Sequence, residues 1–359
     1  MAALAATLAL AFLACQNGET DTEPTSIGRY LPTVSATPAG TATVTPTATP
    51  AGTATVTSTA TPTGTATVTS TATSTATPIS TASPPPASSP TPAATTAPAS
   101  ARVELAPTMV RQGGVFLVRL RDSSAETSPT LFFAGLPYPM LWDDGIWWAV
   151  MGAAADFAPG EYWVQISSNG EGLPNLVLTV VDAGFLEEYI ELAPETGQLL
   201  TDAVAIEAER QLLDSVYAGL TPERLWSGPF ILPAAGALGD TFGLRRSFDG
   251  GPLSNHSGLD IAAGEGDPVM AANAGRVAFA GELHLRGNTV IIDHGAGVFS
   301  GYHHLSQILV AEGQDVAQGE VIGAVGATGL ATAPHLHWEL IVRGVRVDPL
   351  PWTQAEISP

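Results

Sequence analysis

The sequence predicts a mainly β protein. A small immunoglobulin-like β-sandwich, a helical connector and a β-rich carboxy-terminal domain follow a disordered amino-terminal stalk. Three observations lead there. From residue 102 onward, short runs of β-branched and aromatic residues alternate with turn formers. Residues 183 to about 220 carry helix start and stop signals. Residues 31–101 are a Thr/Ala/Pro-rich tract with no charge and no apolar face to bury.

Composition removes several function classes. The 359 residues include 34 acidic and 13 basic side chains, a formal net charge of −21. Every basic residue is arginine and none is lysine, which excludes Schiff-base chemistry, a P-loop lysine and biotin or lipoate attachment. The acidic excess speaks against nucleic acid, whose phosphates need a basic footprint. A single cysteine, Cys15, cannot form an internal disulfide. Nothing in the sequence reads out an oligomeric state.

Residues 1–15 read as a targeting segment. Ala2–Ala14 is almost wholly apolar, too short for the about 20 residues of a membrane span but suited to a signal-peptide core. It ends at Leu13-Ala14-Cys15, before polar Gln16 and Asn17. This resembles a bacterial lipobox, in which the cysteine is lipidated and becomes the new terminus. A plain secretory signal is the alternative. Either way the chain is extracytoplasmic, lipid-anchored to the envelope membrane through Cys15 or secreted.

Residues 16–101 read as a disordered linker. A 12-residue repeat begins at Thr37, Thr49 and Thr61, with one valine per unit. So little apolar surface does not offset the entropy of ordering the chain. An extended polyproline form would reach on the order of 200 Å, a tether or spacer rather than a binding element.

Residues 102–182 carry the runs VELAP, VFLVRLR, TLFFAGL, WWAVMG, YWVQIS and LVLTVVD. Gly113-Gly114, Asp144-Gly145, Pro159-Gly160 and Asn169-Gly170 separate them. Asp-Gly between apolar runs is a strong hairpin signal, and the spacing suits a small sandwich. Trp142, Trp147, Trp148 and Trp163 read as core and hairpin residues, with a glycan-binding platform as the alternative. In 183–225, the stretch TDAVAIEAERQLLDSVYAG opens on Thr201 or Asp202 as cap and closes at Gly219.

All seven histidines fall between His256 and His337. The informative groups are His256-Ser-Gly-Leu-Asp260, Tyr302-His303-His304 and His335-Leu-His337. The first lies on a turn leading into a strand. His335 and His337 are two apart in a β-rich run, so both imidazoles project to one side. Two such imidazoles, an aspartate and another histidine are the residue types a zinc site requires, and a catalytic zinc leaves one position for water. His303, next to His304, should face the opposite side of the strand. His284 and His294 lack such a pattern and read as structural, His294 in a turn. Gly323, Gly326 and Gly329 have the wrong spacing for a phosphate loop and read as turns near the H-x-H strand.

Residues from about 226 to 352 resemble the lysostaphin/LytM-type peptidase domain, the M23 family of zinc endopeptidases. The matching stretches include Phe242-Gly-Leu-Arg245, His256-Ser-Gly-Leu-Asp260, Val290-Ile-Ile-Asp-His-Gly295, Tyr302-His-His304-Leu-Ser, Gly319-Glu-Val-Ile-Gly323 and Pro334-His-Leu-His337-Trp-Glu339. The resemblance implies a compact antiparallel β-domain with an open groove. It implies that His256, Asp260 and His337 bind zinc, and that His304 and His335 are the catalytic pair. His303 fills the variable place of Y-x-H. The implied function is hydrolysis of peptide cross-links in peptidoglycan, whose peptide stems would be the partner. The alternative is a catalytically silent relative that binds cell wall or activates an amidase. Such relatives typically lack one or more metal ligands, whereas all five expected residues stand here.

Overall fold

Side-chain alternation organises the first half of the structure, a computed structural model that describes residues 102–121, 127–191, 197–248 and 250–359. The targeting segment with Cys15 and the repeat-bearing stalk lie outside the described residues. The strands here are β1 (Arg102–Ala106), β2 (Met109–Arg111), β3 (Val115–Arg121), β4 (Thr130–Phe133) and β5 (Leu136–Pro139). They continue with β6 (Leu141–Asp143), β7 (Ile146–Gly152), β8 (Gly160–Ser168), β9 (Glu171–Gly172) and β10 (Leu176–Val181). One sheet runs β1-β3-β7-β6, the other β2-β10-β8-β4-β5 with β9 beside β8.

In β3 every second residue, Phe116, Val118 and Leu120, is fully buried, the period a half-buried strand demands. These side chains meet Leu131, Phe133, Val164, Ile166 and Leu178 of the facing sheet in one core. The predicted hairpin closes at Asp144 and Gly145, both at positive φ (41° and 85°), as a two-residue type I′ turn requires. The four tryptophans divide. Trp148 is buried, Trp142 pairs with Trp147 across the hairpin with rings 5.1 Å apart, and Trp142 and Trp163 are each more than half exposed.

The chain leaves the sandwich through β11 (Glu187–Ile190) and enters α1 (Ala203–Tyr217). Asp202 Oδ1 accepts the Ala205 N–H at 3.0 Å, so Asp202 caps the helix. The buried stripe of α1 is Ile206, Glu209, Leu213 and Tyr217, three apolar residues and one carboxylate.

Beyond it come β12 (Ala237–Leu238), β13 (Arg245–Phe248), β14 (Ser254–Asn255), β15 (Leu259–Ala262), β16 (Pro268–Met270), β17 (Gly275–Leu283) and β18 (Gly287–Gly295). The series ends with β19 (Val298–Leu305), β20 (Gln307–Ile308), β21 (Asp315–Val316), β22 (Val321–Ala324), β23 (Leu336–Val342) and β24 (Val345–Val347). The main sheet runs β12-β15-β23-β19-β18-β17-β21, with β24 paired to β23, and all its pairings are antiparallel. Smaller sheets run β11-β13-β14 and β16-β22-β20. Every residue of β19 and β23 is buried.

The carboxy-terminal core gathers Trp226, Phe230, Tyr302, Trp338 and Trp352, and it also contains Leu141, Trp148 and Val150 of the sandwich. Trp148 meets Trp226 edge-on, ring centroids 6.1 Å apart. At Gly152 a Cβ would stand 2.7 Å from Val347 Cγ1, so the absence of a side chain sets how closely β7 approaches β24.

His294 is not a turn residue. It is the penultimate residue of β18 and fully buried. Its Nδ1–H donates to Ala274 O at 2.7 Å, and its Nε2 lies 2.7 Å from Ser300 Oγ. Ser300 Oγ is in turn 2.8 Å from Tyr302 Oη, which accepts the Ala272 N–H. The strand extends through His294 because these partners satisfy the ring inside. Among the described residues no helix is long and apolar enough to cross a membrane.

Candidate metal centre

Strand register builds the centre. β15 pairs with β23 so that Asp260 stands directly opposite His337, and opposed residues of an antiparallel pair share a face. His256 enters from the turn between β14 and β15. Gly258 lets that turn pass over β23, since a Cβ there would lie 2.3 Å from Trp338 O and 3.0 Å from His337 Cε1. His256 Nε2 is 3.1 Å from His337 Nδ1 and 3.2 Å from Asp260 Oδ1, and His337 Nδ1 is 2.7 Å from Asp260 Oδ1. All three residues are buried, and their ligand atoms lie within 4.8 Å of one another.

Outer partners fix which nitrogen of each ring faces inward. His256 Nδ1–H donates to Thr241 O at 2.9 Å, leaving Nε2 toward the centre. His337 Nε2 lies 3.3 Å from Glu339 Oε1 and 3.4 Å from Ser257 Oγ, so Nε2–H donates to the carboxylate and Nδ1 faces inward. Burial pushes the Asp260 carboxyl up, but the charge and hydrogen bonds of His256 and His337 hold it well below the usual range. Burial likewise opposes charge on His337, yet its bonds to Asp260 and Glu339 prevail and raise its pKa. Asp260 Oδ2 is buried without a hydrogen-bond partner. Two imidazole nitrogens and a carboxylate with a spare oxygen, converging on one point, form a donor set that fits Zn²⁺.

His304 and His335 adjoin this trio. Their ring centroids are 4.9 Å apart, and His335 Nε2 is 3.9 Å from Asp260 Oδ1. His304 Nδ1–H donates to Thr328 O and His335 Nδ1–H to Ala333 O, both at 2.8 Å. Each Nε2 is buried with no hydrogen-bond partner. Burial, then the neighbouring His335 and His337, drive the His304 pKa well below 6.5, and burial lowers that of His335. At neutral pH both rings therefore present an unprotonated Nε2.

The expectation for His303 needs correction. His304 has φ +63° and sits where β19 carries one residue more than β18, between the pairs Tyr302–Val290 and Leu305–Asn288. This β-bulge interrupts alternation. His303 and His304 therefore both flank His337, with ring centroids 5.5 Å and 6.1 Å away. His303 Nδ1 lies 3.1 Å from Thr289 Oγ1, and burial takes its pKa down to about 3. His284 contacts Leu199 O at 2.9 Å. Of the three glycines, Gly323 lies within β22, Gly326 bridges to His335, and only Gly329 has positive φ.

Sequence reasoning missed a buried charged network behind His337. Ser257 Oγ donates to Glu339 Oε1 at 2.6 Å. Arg286 donates to Glu339 Oε1 at 2.8 Å and to Glu209 Oε1 at 2.9 Å. Burial opposes charge on Glu339, but Arg286 and Arg346 hold its pKa well below the usual range. Glu339 was within reach of the alternation argument, being two residues past His337. Arg286 and Glu209 carry no local motif.

A model described as Peptidase family M23 matches residues 254–349. Peptidoglycan DD-endopeptidase ShyA of Vibrio cholerae is 45% identical over 96 residues, 27% of this chain and 22% of that protein. Outer membrane antigenic lipoprotein B of Haemophilus influenzae is 30% identical over 198 residues, 55% of this chain and 45% of that protein. The chain thus spans less than half the length of either relative. A crystal structure from Pseudomonas aeruginosa assigned to peptidase M23 superposes with a TM-score of 0.53 at 30% identity, covering 68% of this chain and 95% of that one. With that overall likeness, and with the His/Asp/His trio inside the matched segment, the chain belongs to peptidase family M23.

Proposed function

We propose that this protein is a zinc-dependent endopeptidase that hydrolyses peptide cross-links of bacterial peptidoglycan at the cell envelope. One observation carries the reading: three ligand atoms converge, and two buried histidines beside them offer unprotonated, unpartnered Nε2 atoms. His256, Asp260 and His337 would hold the ion. Bound there, zinc would supply Lewis acidity to the scissile carbonyl and to water. His304 and His335 would do the proton work. One Nε2 accepts a proton from the attacking water, and the imidazolium so formed stabilises the developing oxyanion, while the other, neutral ring holds the water's second hydrogen at its own Nε2. The departing amine then takes up the accepted proton as the C–N bond breaks.

The substrate class rests on likeness: ShyA is by name a peptidoglycan DD-endopeptidase, and this chain would act on the same kind of bond. The working units would be a targeting segment (1–15), linker (16–101), immunoglobulin-like domain (102–182), connector (183–225) and peptidase domain (226–352). Lipidation of Cys15 would tether the enzyme, in keeping with lipoprotein B among its relatives.

Mass spectrometry of muropeptides released from purified sacculi, with and without chelator, tests the reading. Cross-linked species should fall and uncross-linked peptides rise, and chelation should stop it. Intact sacculi after incubation with zinc-loaded protein would sink the enzyme. If an added amidase were stimulated instead, the silent-activator alternative would replace it.

A further inference from the structure

Glu209 is out of place as a packing residue. It occupies the middle of the apolar stripe of α1, between Ile206 and Leu213, and is almost completely buried. An apolar side chain would continue the stripe, and buried ion pairs gain little over well-packed apolar replacements. Packing therefore gives no reason for a carboxylate here, while its partners do.

Glu209 Oε1 and Glu339 Oε1 share one guanidinium, that of Arg286, itself fully buried. Each carboxylate takes one nitrogen, so Arg286 is pinned from both ends. Glu339 is thereby held with Oε1 3.3 Å from His337 Nε2, the contact that turns Nδ1 toward the trio. Glu209 Oε2 also accepts the Leu285 N–H at 2.7 Å. That turn carries the Arg286 carbonyl, which accepts the His304 N–H at 2.9 Å, and the Leu285 carbonyl, which accepts the Leu330 N–H at 2.7 Å. One side chain on the connector helix thus reaches the metal trio through a side-chain relay and His304 through the backbone.

We propose that Glu209 is a positioning residue for the metal centre, acting through Arg286 and Glu339 on His337. The inference rests on the zinc reading above. If Glu209 loses its charge, Arg286 swings wholly onto Glu339. Glu339 then accepts less strongly from His337 Nε2–H, and the ring is both less basic and less firmly aimed.

The test uses the full chain and reads metal binding, not turnover. Zinc affinity is measured by competition with a chromophoric chelator, and the visible spectrum of the cobalt-substituted protein reports ligand geometry. Glu209→Gln should weaken zinc by about tenfold, the low end for an outer partner of a ligand, and shift the cobalt bands. Glu209→Gln combined with Glu339→Gln should bind no more weakly than Glu339→Gln alone, because the two lie on one relay. Unchanged affinity and spectrum in Glu209→Gln, whatever its melting temperature, overturn the proposal, as does strict additivity in the double variant. Should Glu209→Gln not fold, Glu209→Asp keeps the charge but draws it back from Arg286. Weakened zinc binding in that folded variant supports the relay, and full affinity overturns it. Wild-type chain that takes up no zinc would instead refute the metal reading on which the proposal stands.

Discussion

Acidification should destabilise the carboxy-terminal region through His294, and His294→Gln should remove that sensitivity. Burial lowers the His294 pKa from 6.5 to about 4, although the bond to Ala274 O works the other way. The ring is therefore neutral inside the fold and free to protonate outside it. Because the folded pKa lies below the unfolded one, the unfolded chain binds the extra proton as pH drops. The stability that depends on a neutral ring is complete above about pH 6.5 and is lost as pH falls through about 4. A gap of about 2.5 pH units, at roughly 1.4 kcal/mol each, amounts to about 3 kcal/mol. That is a large share of the roughly 5–15 kcal/mol that holds a typical domain together. Equilibrium urea unfolding of wild type and His294→Gln, from pH 7.5 down to 4, measures it. Glutamine loses the ring packing against Phe230, centroids 4.9 Å apart, which is a constant offset. The pH-dependent part is the signal. Wild type should lose about 3 kcal/mol more than the variant over this range. Parallel stability curves would refute a neutral buried His294.

Other outcomes test the centre and its setting. Asp260→Asn and His337→Ala should each lose zinc and hydrolysis together, read by elemental analysis and muropeptide release. His304→Ala and His335→Ala should keep zinc at wild-type stoichiometry while kcat falls by about 10²–10⁴. Gly258→Ala drives a Cβ against Trp338 O and His337 Cε1. It should cost about 1–3 kcal/mol of stability and weaken zinc uptake, measured by thermal melts and metal titration. Trp148→Ala empties a shared core and should cost about 3–5 kcal/mol, lowering one common calorimetric transition rather than one of two.

Much of this architecture is local and hence readable in advance. Phe116, Val118 and Leu120 alternate with more exposed neighbours, Asp144-Gly145 demands a hairpin, and Asp202 announces a helix. In each case a few adjacent residues carry the physical cause. His335 and His337 follow the same logic, since strand period alone puts them on one side. The logic fails where one extra residue is inserted. The bulge at His304 brings His303 to the flank of His337, and no run of residue types signals it. It fails again for His294, whose place in a strand depends on Ser300 and on the Ala274 carbonyl. Glu209 and Arg286 are the extreme case, because their pairing joins segments 77 residues apart. Read alone, each is an ordinary charged side chain.

Leu141, Trp148 and Val150 pack into the same interior as Trp226 and Trp352, which bears on how this chain can be engineered. Cutting before residue 226 would bare one side of Trp226 and uncover the β24 edge that Gly152 fits. A chimaera that grafts a foreign module onto the carboxy-terminal domain would therefore inherit an exposed aromatic seam unless the recipient kept a tryptophan and a glycine at the corresponding places. Portability here ends at the joint, and the smallest exchangeable cassette begins near residue 102.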